Sequence, residues 1–122
     1  MITLKTLPRA NKQQIFDQVA KHMLTQMQKS TVINENGDSI CSYKNPEGLA
    51  CAAGCLIADD EYSTKFEHQT WDSLADWGHV PRRNSELIRF LQKIHDKNEP
   101  VEWENLLREL ANRYKLEWNI NV

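Results

Sequence analysis

The feature that most constrains the fold is a run of ten residues without a charged side chain, residues 48–57, with the sequence GLACAAGCLI. Charged residues make up 26% of the chain, so a segment that is apolar on all sides is expected to lie inside the protein. The pattern predicts a buried central helix over residues 47–58. Within it we expect Leu49 and Ile57 to be buried and Gly54 to face another helix at close range.

A second segment has the spacing of an amphipathic helix. Its apolar residues recur every three or four positions, as one face of a helix requires: Ile15, Phe16, Val19, Ala20, Met23, Leu24 and Met27. Asn11 is followed three residues later by Gln14, which is the pattern of a capping box. Together these features predict a helix over residues 11–29.

Asn36-Gly37 lies between two β-prone segments. A two-residue hairpin turn of type I′ needs a positive φ at both central residues. Asn and Gly adopt a positive φ readily, so this dipeptide favours such a turn. Such a turn would place Ile33 opposite Ile40 and Val32 opposite Cys41. An isolated hairpin is marginally stable in water, so we expect this one to pack on the helices.

Three further helices are predicted in the second half of the chain. Thr70 is a suitable cap for a short helix that stops at Gly78. Asn84 or Ser85 would begin the next helix, and Asn98-Glu99-Pro100 would begin the last one. Each of these starts is followed by apolar residues at helical spacing.

Apolar and polar residues alternate at both ends of the chain. The alternation predicts a short strand or extended arm over residues 2–7 and an edge strand over residues 116–122. The complete pattern predicts an α+β fold that is mostly α, with four to five helices and a small β-hairpin packed on them. The length of 122 residues is typical of one domain, so we expect residues 1–122 to form a single domain.

Charge and hydropathy exclude some classes of function. The formal net charge is −2 with the two signs interleaved, whereas a nucleic-acid-binding face normally shows as a basic stripe, so no direct nucleic-acid contact is expected. No apolar run approaches the ~20 residues needed to cross a bilayer. The N-terminus lacks the apolar region of a signal peptide, so a cytoplasmic location is expected.

The three cysteines raise the question of a metal site or a reactive thiolate. Zinc could use Cys41, Cys51 and Cys55 with His79 or His68 as the fourth ligand. The spacing matches no zinc-knuckle pattern, however, and the neighbours of Cys51 are apolar, which disfavours a thiolate. The cysteines are therefore predicted to be buried, metal-free thiols.

The acidic residues between the central segment and the second half could in principle bind a divalent cation: Asp59, Asp60, Glu61, Asp72 and Asp76. They lack the spacing of a calcium loop, so a solvated connector is the preferred interpretation. The sequence contains no phosphate-binding glycine loop and no hydrolase or metalloprotease motif. We therefore predict no catalytic residues, no metal ligands, no cofactor and no enzymatic activity.

The strongest candidate for a binding site combines tryptophan with arginine. Trp77 immediately precedes Gly78, and Arg82 and Arg83 follow in a connector after Pro81. Trp and Arg are enriched among the residues that dominate protein–protein affinity. Trp77, Arg82 and Arg83 are therefore the predicted partner-binding residues.

The central part of the chain resembles a signature of small uncharacterised proteins of tailed phages and prophages. That signature consists of Cys-x-Tyr, a short linker, Gly-Leu-x-Cys-Ala-x-Gly, a hydrophobic pair and Asp-x-x-Tyr. Here it falls on Cys41, Tyr43, Gly48, Leu49, Cys51, Ala52, Gly54, Leu56, Ile57, Asp59 and Tyr62. A helix like residues 14–24 precedes it in those proteins too. The resemblance implies a phage accessory protein, a class that includes inhibitors of host defence and host-takeover factors.

Taken together, the sequence favours a non-enzymatic phage or prophage accessory protein that binds a host protein or protein complex, as an inhibitor of a bacterial defence system. The alternative is a protein that sequesters a nucleotide signal, with Arg82, Arg83 and Trp77 forming the pocket. A metal- or thiol-dependent enzyme is the third hypothesis.

Overall fold

The computed structural model describes residues 1–121. Within this range the chain forms four α-helices and one antiparallel hairpin, in the order α1 (Lys12–Gln26), β1 (Thr31–Ile33), β2 (Ser39–Cys41), α2 (Trp71–Asp76), α3 (Ser85–Lys97) and α4 (Pro100–Arg113). Short 3₁₀ turns occupy Leu7–Arg9, Ala53–Leu56 and Thr64–Phe66. The predicted fold class, a small α+β fold that is mostly helical, is confirmed. None of the described helices is both long enough and apolar enough to span a membrane.

Helix α1 begins with the predicted capping box. The Asn11 side chain accepts a hydrogen bond from the Gln14 backbone N–H (2.8 Å), and the Gln14 side chain accepts one from the Asn11 backbone N–H (3.0 Å). The helix ends at Gln26, earlier than predicted, because Met27 adopts a left-handed conformation with a φ of 50°. The apolar face of α1 is buried against α3 and α4.

The other helix starts also follow the sequence signals. The Thr70 hydroxyl caps α2 by accepting from the Ser73 backbone N–H (3.1 Å), and Glu99 forms a capping box with Glu102 at the start of α4. Asn84 precedes α3 but is left-handed and makes no capping bond with its side chain. Its side chain is used for contacts with the N-terminal segment instead.

The segment over residues 47–58 is largely buried, but the prediction that it is a helix is wrong: only Ala53–Leu56 forms a 3₁₀ turn. Two backbone hydrogen bonds lie within the segment, from the Cys55 N–H to the Cys51 carbonyl (3.2 Å) and from the Ile57 N–H to the Gly54 carbonyl (3.1 Å). Other backbone groups bond to side chains from elsewhere. The Gln26 side chain accepts from the Ala50 N–H (3.2 Å) and donates to the Ala50 carbonyl (2.9 Å). The Gln92 side chain accepts from the Ala53 N–H (2.8 Å).

The packing expected of this segment is correct in part. Ile57 is buried, whereas Leu49 is only partly buried. Gly54 does make a close approach, but to the backbone of Tyr43 and not to a helix. The core therefore contains an irregular apolar segment where a central helix was expected.

The hairpin forms, but its predicted register is wrong by one residue. Ile33 pairs with Ser39, and Val32 pairs with Ile40. The loop occupies residues 34–38 because the Asn34 side chain accepts hydrogen bonds from the backbone N–H groups of Asn36 and Asp38 (both 2.9 Å). This side-chain turn replaces the two-residue turn that Asn36-Gly37 favours.

Neither end of the chain forms the predicted strand within the described residues. Residues 2–7 form turns and the start of the first 3₁₀ turn, and residues 116–121 are irregular, while Val122 lies outside the described residues. Side chains bind both backbones instead. Gln18 bonds to both the N–H and the carbonyl of Ile2 (2.6 and 2.9 Å), and Gln13 does the same for Glu117 (2.9 and 3.0 Å).

Candidate functional site

Trp77 lies at the end of α2 and projects into solvent. It is the C-terminal cap of this short helix, and Gly78 turns the chain away with a φ of 78°. The side chain is 75% exposed, whereas Trp71 in the same helix is 3% exposed and Trp103 is fully buried. The two buried tryptophans belong to the core and Trp118 is partly buried, so Trp77 is the most exposed tryptophan in the chain.

Arg82 and Arg83 are both exposed, in the connector between α2 and α3. The Arg82 guanidinium pairs with the Asp76 carboxylate at 2.6 Å, and Asp76 precedes Trp77 directly. This ion pair links Arg82 to the residue directly before Trp77. All three predicted partner-binding residues are therefore exposed, and Arg82 is tied to the end of α2.

The fold adds two cations to this region that the sequence did not suggest. Arg83 donates to the Pro8 carbonyl (3.4 Å), next to the exposed Arg9. The Lys12 ammonium donates to the Asn84 side chain (2.9 Å). The N-terminal segment and the connector lie more than 70 positions apart in sequence, so no local pattern could have predicted their contact.

We call this region the basic–aromatic surface: Arg9, Lys12, Trp77, Arg82 and Arg83. Within the part of the chain that the structure describes, Asp76 is the acidic residue that pairs with it, through Arg82. Arg9, Lys12 and Arg83 have no carboxylate within ion-pair distance among residues 1–121. The surface is therefore locally basic on a chain whose net charge is −2.

The cysteines are free thiols, but the prediction that all three are buried is wrong for Cys41, which is exposed on β2. Cys51 is buried and Cys55 is partly buried. Burial raises the pKa of Cys55 to about 12 and raises the pKa of Cys51 as well. Although Cys41 is exposed as a residue, its thiol is partly buried beside Asp96, and this burial together with Asp96 raises the pKa of Cys41 to about 12. At neutral pH all three are thiols and poor nucleophiles.

The structure does not join the cysteines to His79 or His68. Instead, Cys41 lies beside His95 and Asp96, with one potential ligand atom from each residue within 4.8 Å of the others; in the described range this is the one such group. None of the predicted acidic residues belongs to it. No local sequence pattern predicts this cluster of Cys41, His95 and Asp96, because its residues come from β2 and α3, which are distant in the sequence.

Hydrogen bonds already occupy both ring nitrogens of the fully buried His95. The Ser30 backbone N–H donates to Nε2 (3.3 Å), so Nε2 is the acceptor and Nδ1 carries the proton that it donates to Asp96 (2.8 Å). A metal on Nδ1 would move this proton to Nε2, where it would face the Ser30 N–H. The arrangement therefore favours a structural role for His95, between the hairpin and α3.

The predicted acidic group is dispersed over the surface. Asp59 pairs with Lys44 (2.9 Å), Asp72 with Arg89 (3.1 Å) and Asp76 with Arg82, while Asp60 is exposed. Glu61 has a structural role: its carboxylate accepts from the backbone N–H groups of Leu4, Lys5 and Ala58 (2.9–3.0 Å). Each of the three paired aspartates thus has a different cationic partner, and the five acidic residues do not converge on one site.

A wide groove of about 1080 Å³ runs along α1 beside the N-terminal segment. Several of its polar side chains are already engaged: Gln18 binds Ile2, and the His22 imidazole bonds to the Ala50 carbonyl (2.8 Å). Burial lowers the pKa of His22. The groove also includes the exposed Arg9 and Lys21, and through Arg9 it adjoins the basic–aromatic surface.

Comparison of the chain with protein families, with curated proteins and with solved structures gave no match.

Proposed function

We propose that the protein is a non-enzymatic binding protein that contacts an acidic face of a partner protein through the basic–aromatic surface. The observation that carries the proposal is the 75% exposure of Trp77 beside Arg82, in a chain that buries Trp71 and Trp103. An exposed tryptophan side chain does not contribute buried apolar area to the folded core. It gains contact area only when a partner covers it.

The chemistry of the surface suits a protein partner. Trp77 offers a large, rigid contact area at low entropic cost, and the guanidinium of Arg83 offers paired donors to a carboxylate. Arg82 already pairs with Asp76 at the end of α2, and its remaining donors can meet a partner carboxylate there. Arg9 and Lys12 extend the positive charge and would raise the rate of encounter with an acidic surface.

A host protein is the proposed partner class, and inhibition of a bacterial defence system is the proposed outcome. Support comes from the resemblance of residues 41–62 to small phage and prophage proteins, which act inside bacterial cells. The proposed location is therefore the host cytoplasm. A non-enzymatic role is supported by the raised pKa values of the three thiols and by the engaged nitrogens of His95.

The test is affinity capture from lysate of a bacterial host, followed by calorimetry with the captured protein. We expect Arg82→Ala with Arg83→Ala, and separately Trp77→Ala, to weaken binding by about 2 kcal/mol, or about thirtyfold in Kd, because hot-spot residues have effects of this size. The matched control is Lys21→Ala with Lys65→Ala, which removes two exposed charges elsewhere and should leave Kd unchanged.

All variants should keep the melting temperature of the parent, because the substituted side chains are exposed. Two results would contradict the proposal. One is an unchanged Kd for both the arginine pair and the tryptophan variant. The other is capture of a nucleic acid whose binding requires the same arginines.

A further inference from the structure

A second cavity, of about 490 Å³, lies between the start of α2 and the outer face of α3, away from Trp77. Its inner wall includes the aromatic side chains of Trp71 and Tyr43, both of which are buried. Its volume falls in the range of pockets that hold small organic ligands. A flat, apolar group placed here would pack against aromatic rings.

Trp71 also carries an unusual polar group, whose nitrogen has almost no solvent-accessible surface. Its indole Nε1–H is the one buried side-chain nitrogen or oxygen without a hydrogen-bond partner in the described part of the chain. Trp103, by contrast, donates its indole N–H to the Asn98 carbonyl (3.2 Å). A buried donor without an acceptor costs stability.

The outer side of the cavity is positively charged. Arg89, Lys93 and Lys97 line it and recur every four residues, which places them on one face of α3. Two carboxylates also line the cavity, but each has other partners. Asp72 pairs with Arg89 (3.1 Å), and Asp96 accepts hydrogen bonds from His95 and Gln92 (2.8 and 2.9 Å).

Lys93 and Lys97 are exposed, and within residues 1–121 neither has a carboxylate at ion-pair distance. They are therefore free to bind an anion at the mouth of the cavity. The combination of an aromatic wall and two free ammonium groups describes one chemical class of ligand.

We propose that this cavity binds a small organic anion with a flat, apolar body. The body lies against Trp71 and Tyr43, and a phosphate or carboxylate group binds Lys93 and Lys97. The site is distinct from the basic–aromatic surface and does not depend on the proposed partner. A nucleoside monophosphate and an aromatic carboxylate share the required chemistry.

The Trp71 indole N–H gives a direct readout, because each tryptophan contributes one indole signal to a ¹⁵N–¹H NMR spectrum. The signal is assigned with Trp71→Phe or, if that variant does not fold, by elimination with Trp77→Phe, Trp118→Phe and Trp103→Phe. The probes are AMP, indole-3-acetate, adenosine and inorganic phosphate. We expect AMP, indole-3-acetate or both to shift the Trp71 signal saturably, while the Trp77 signal stays in place.

Lys93→Ala with Lys97→Ala should raise the Kd of the responding probe about tenfold or more, because charge-assisted contacts are lost. Lys21→Ala with Lys65→Ala is the control with the same change in charge, and its Kd should match the parent. A response to AMP alone identifies a phosphate ligand, and a response to indole-3-acetate alone identifies a carboxylate.

Three results would overturn the proposal. The first is no saturable shift of the Trp71 signal with AMP or indole-3-acetate at millimolar concentration. The second is a response to adenosine as strong as that to AMP, or to inorganic phosphate alone, which would remove the need for the anion or for the aromatic wall. The third is a Kd that the two lysine substitutions leave unchanged.

Discussion

Gly54 shows how one residue determines the path of the core. A Cβ atom at this position would overlap the backbone carbonyl oxygen of Tyr43 and would lie 2.9 Å from its carbonyl carbon. Backbone cannot move aside as a side chain can, so only glycine allows the segment around residue 54 to lie against Tyr43. The sequence correctly predicted a close approach at Gly54 but not the partner, since Tyr43 belongs to no helix.

We expect Gly54→Ala to lower the free energy of unfolding by at least about 2 kcal/mol, because even one methyl group overpacks this contact. The control is Gly37→Ala, where the added Cβ meets no atom within 4 Å and only the positive φ of 83° opposes the substitution. That variant should lose about 1 kcal/mol. Urea unfolding of both variants measures the difference, and a Gly54→Ala protein as stable as Gly37→Ala would refute the assignment.

At the scale of elements, the sequence predicted what local signals specify. Helices α1, α2 and α4 begin at their predicted caps because each cap lies within three residues of the groups it bonds. The segment over residues 47–58 was predicted incorrectly because its backbone partners, Gln26 and Gln92, come from α1 and α3. Composition predicted its burial, but Gln26 and Gln92 are too distant in the sequence for a local pattern to reveal them as partners.

The candidate sites also combine features that the sequence predicts with features that only the tertiary structure creates. The exposure of Arg82 and Arg83 follows from their place in a connector. The sequence also shows that Arg89, Lys93 and Lys97 are spaced four residues apart. Arg9 and the aromatic wall of the second cavity could not be predicted, because tertiary contacts between distant segments create them.

Glu61 connects two irregular elements, and this contact should make stability depend on pH. Burial raises its pKa, but the backbone donors of Ala58, Leu4 and Lys5 have the larger combined effect and hold it below the ordinary value of 4.5. A lowered folded-state pKa means that the ionised carboxylate stabilises the fold above pH 4.5 and that this contribution disappears as the pH falls through the folded-state value.

Glu61→Gln should therefore lower the free energy of unfolding at pH 7 by about 1 kcal/mol, a modest value because solvent screens a partly exposed carboxylate. The difference from the parent should shrink as the pH falls below 4.5. Glu47→Gln, at an exposed position without side-chain hydrogen bonds in the described structure, is the control. Denaturant unfolding over a pH series tests the expectation, and a difference that grows toward low pH would contradict it.

At the scale of the whole molecule, α1 holds both ends of the chain. Gln18 fixes Ile2 at one end, and Gln13 fixes Glu117 at the other. Trp118 adds an apolar contact to the second attachment: its ring meets Phe16 edge-to-face at 6.1 Å, and the Arg108 guanidinium lies 4.2 Å from its centre. The C-terminal segment thus closes over α1 and α4 without forming a strand.

We expect Trp118→Ala to lower the free energy of unfolding by about 2 kcal/mol, less than a fully buried tryptophan would lose, because the side chain is only partly buried. The matched control is Trp77→Ala, which removes the same side chain from an exposed position and should leave stability within about 0.5 kcal/mol of the parent. Thermal unfolding measures both. Faster amide hydrogen exchange confined to residues 116–121 in the Trp118 variant would show that the segment has detached. Equal melting temperatures for the two variants would mean that the tail contributes nothing to the core, and Trp118 would then join Trp77 as a candidate contact residue.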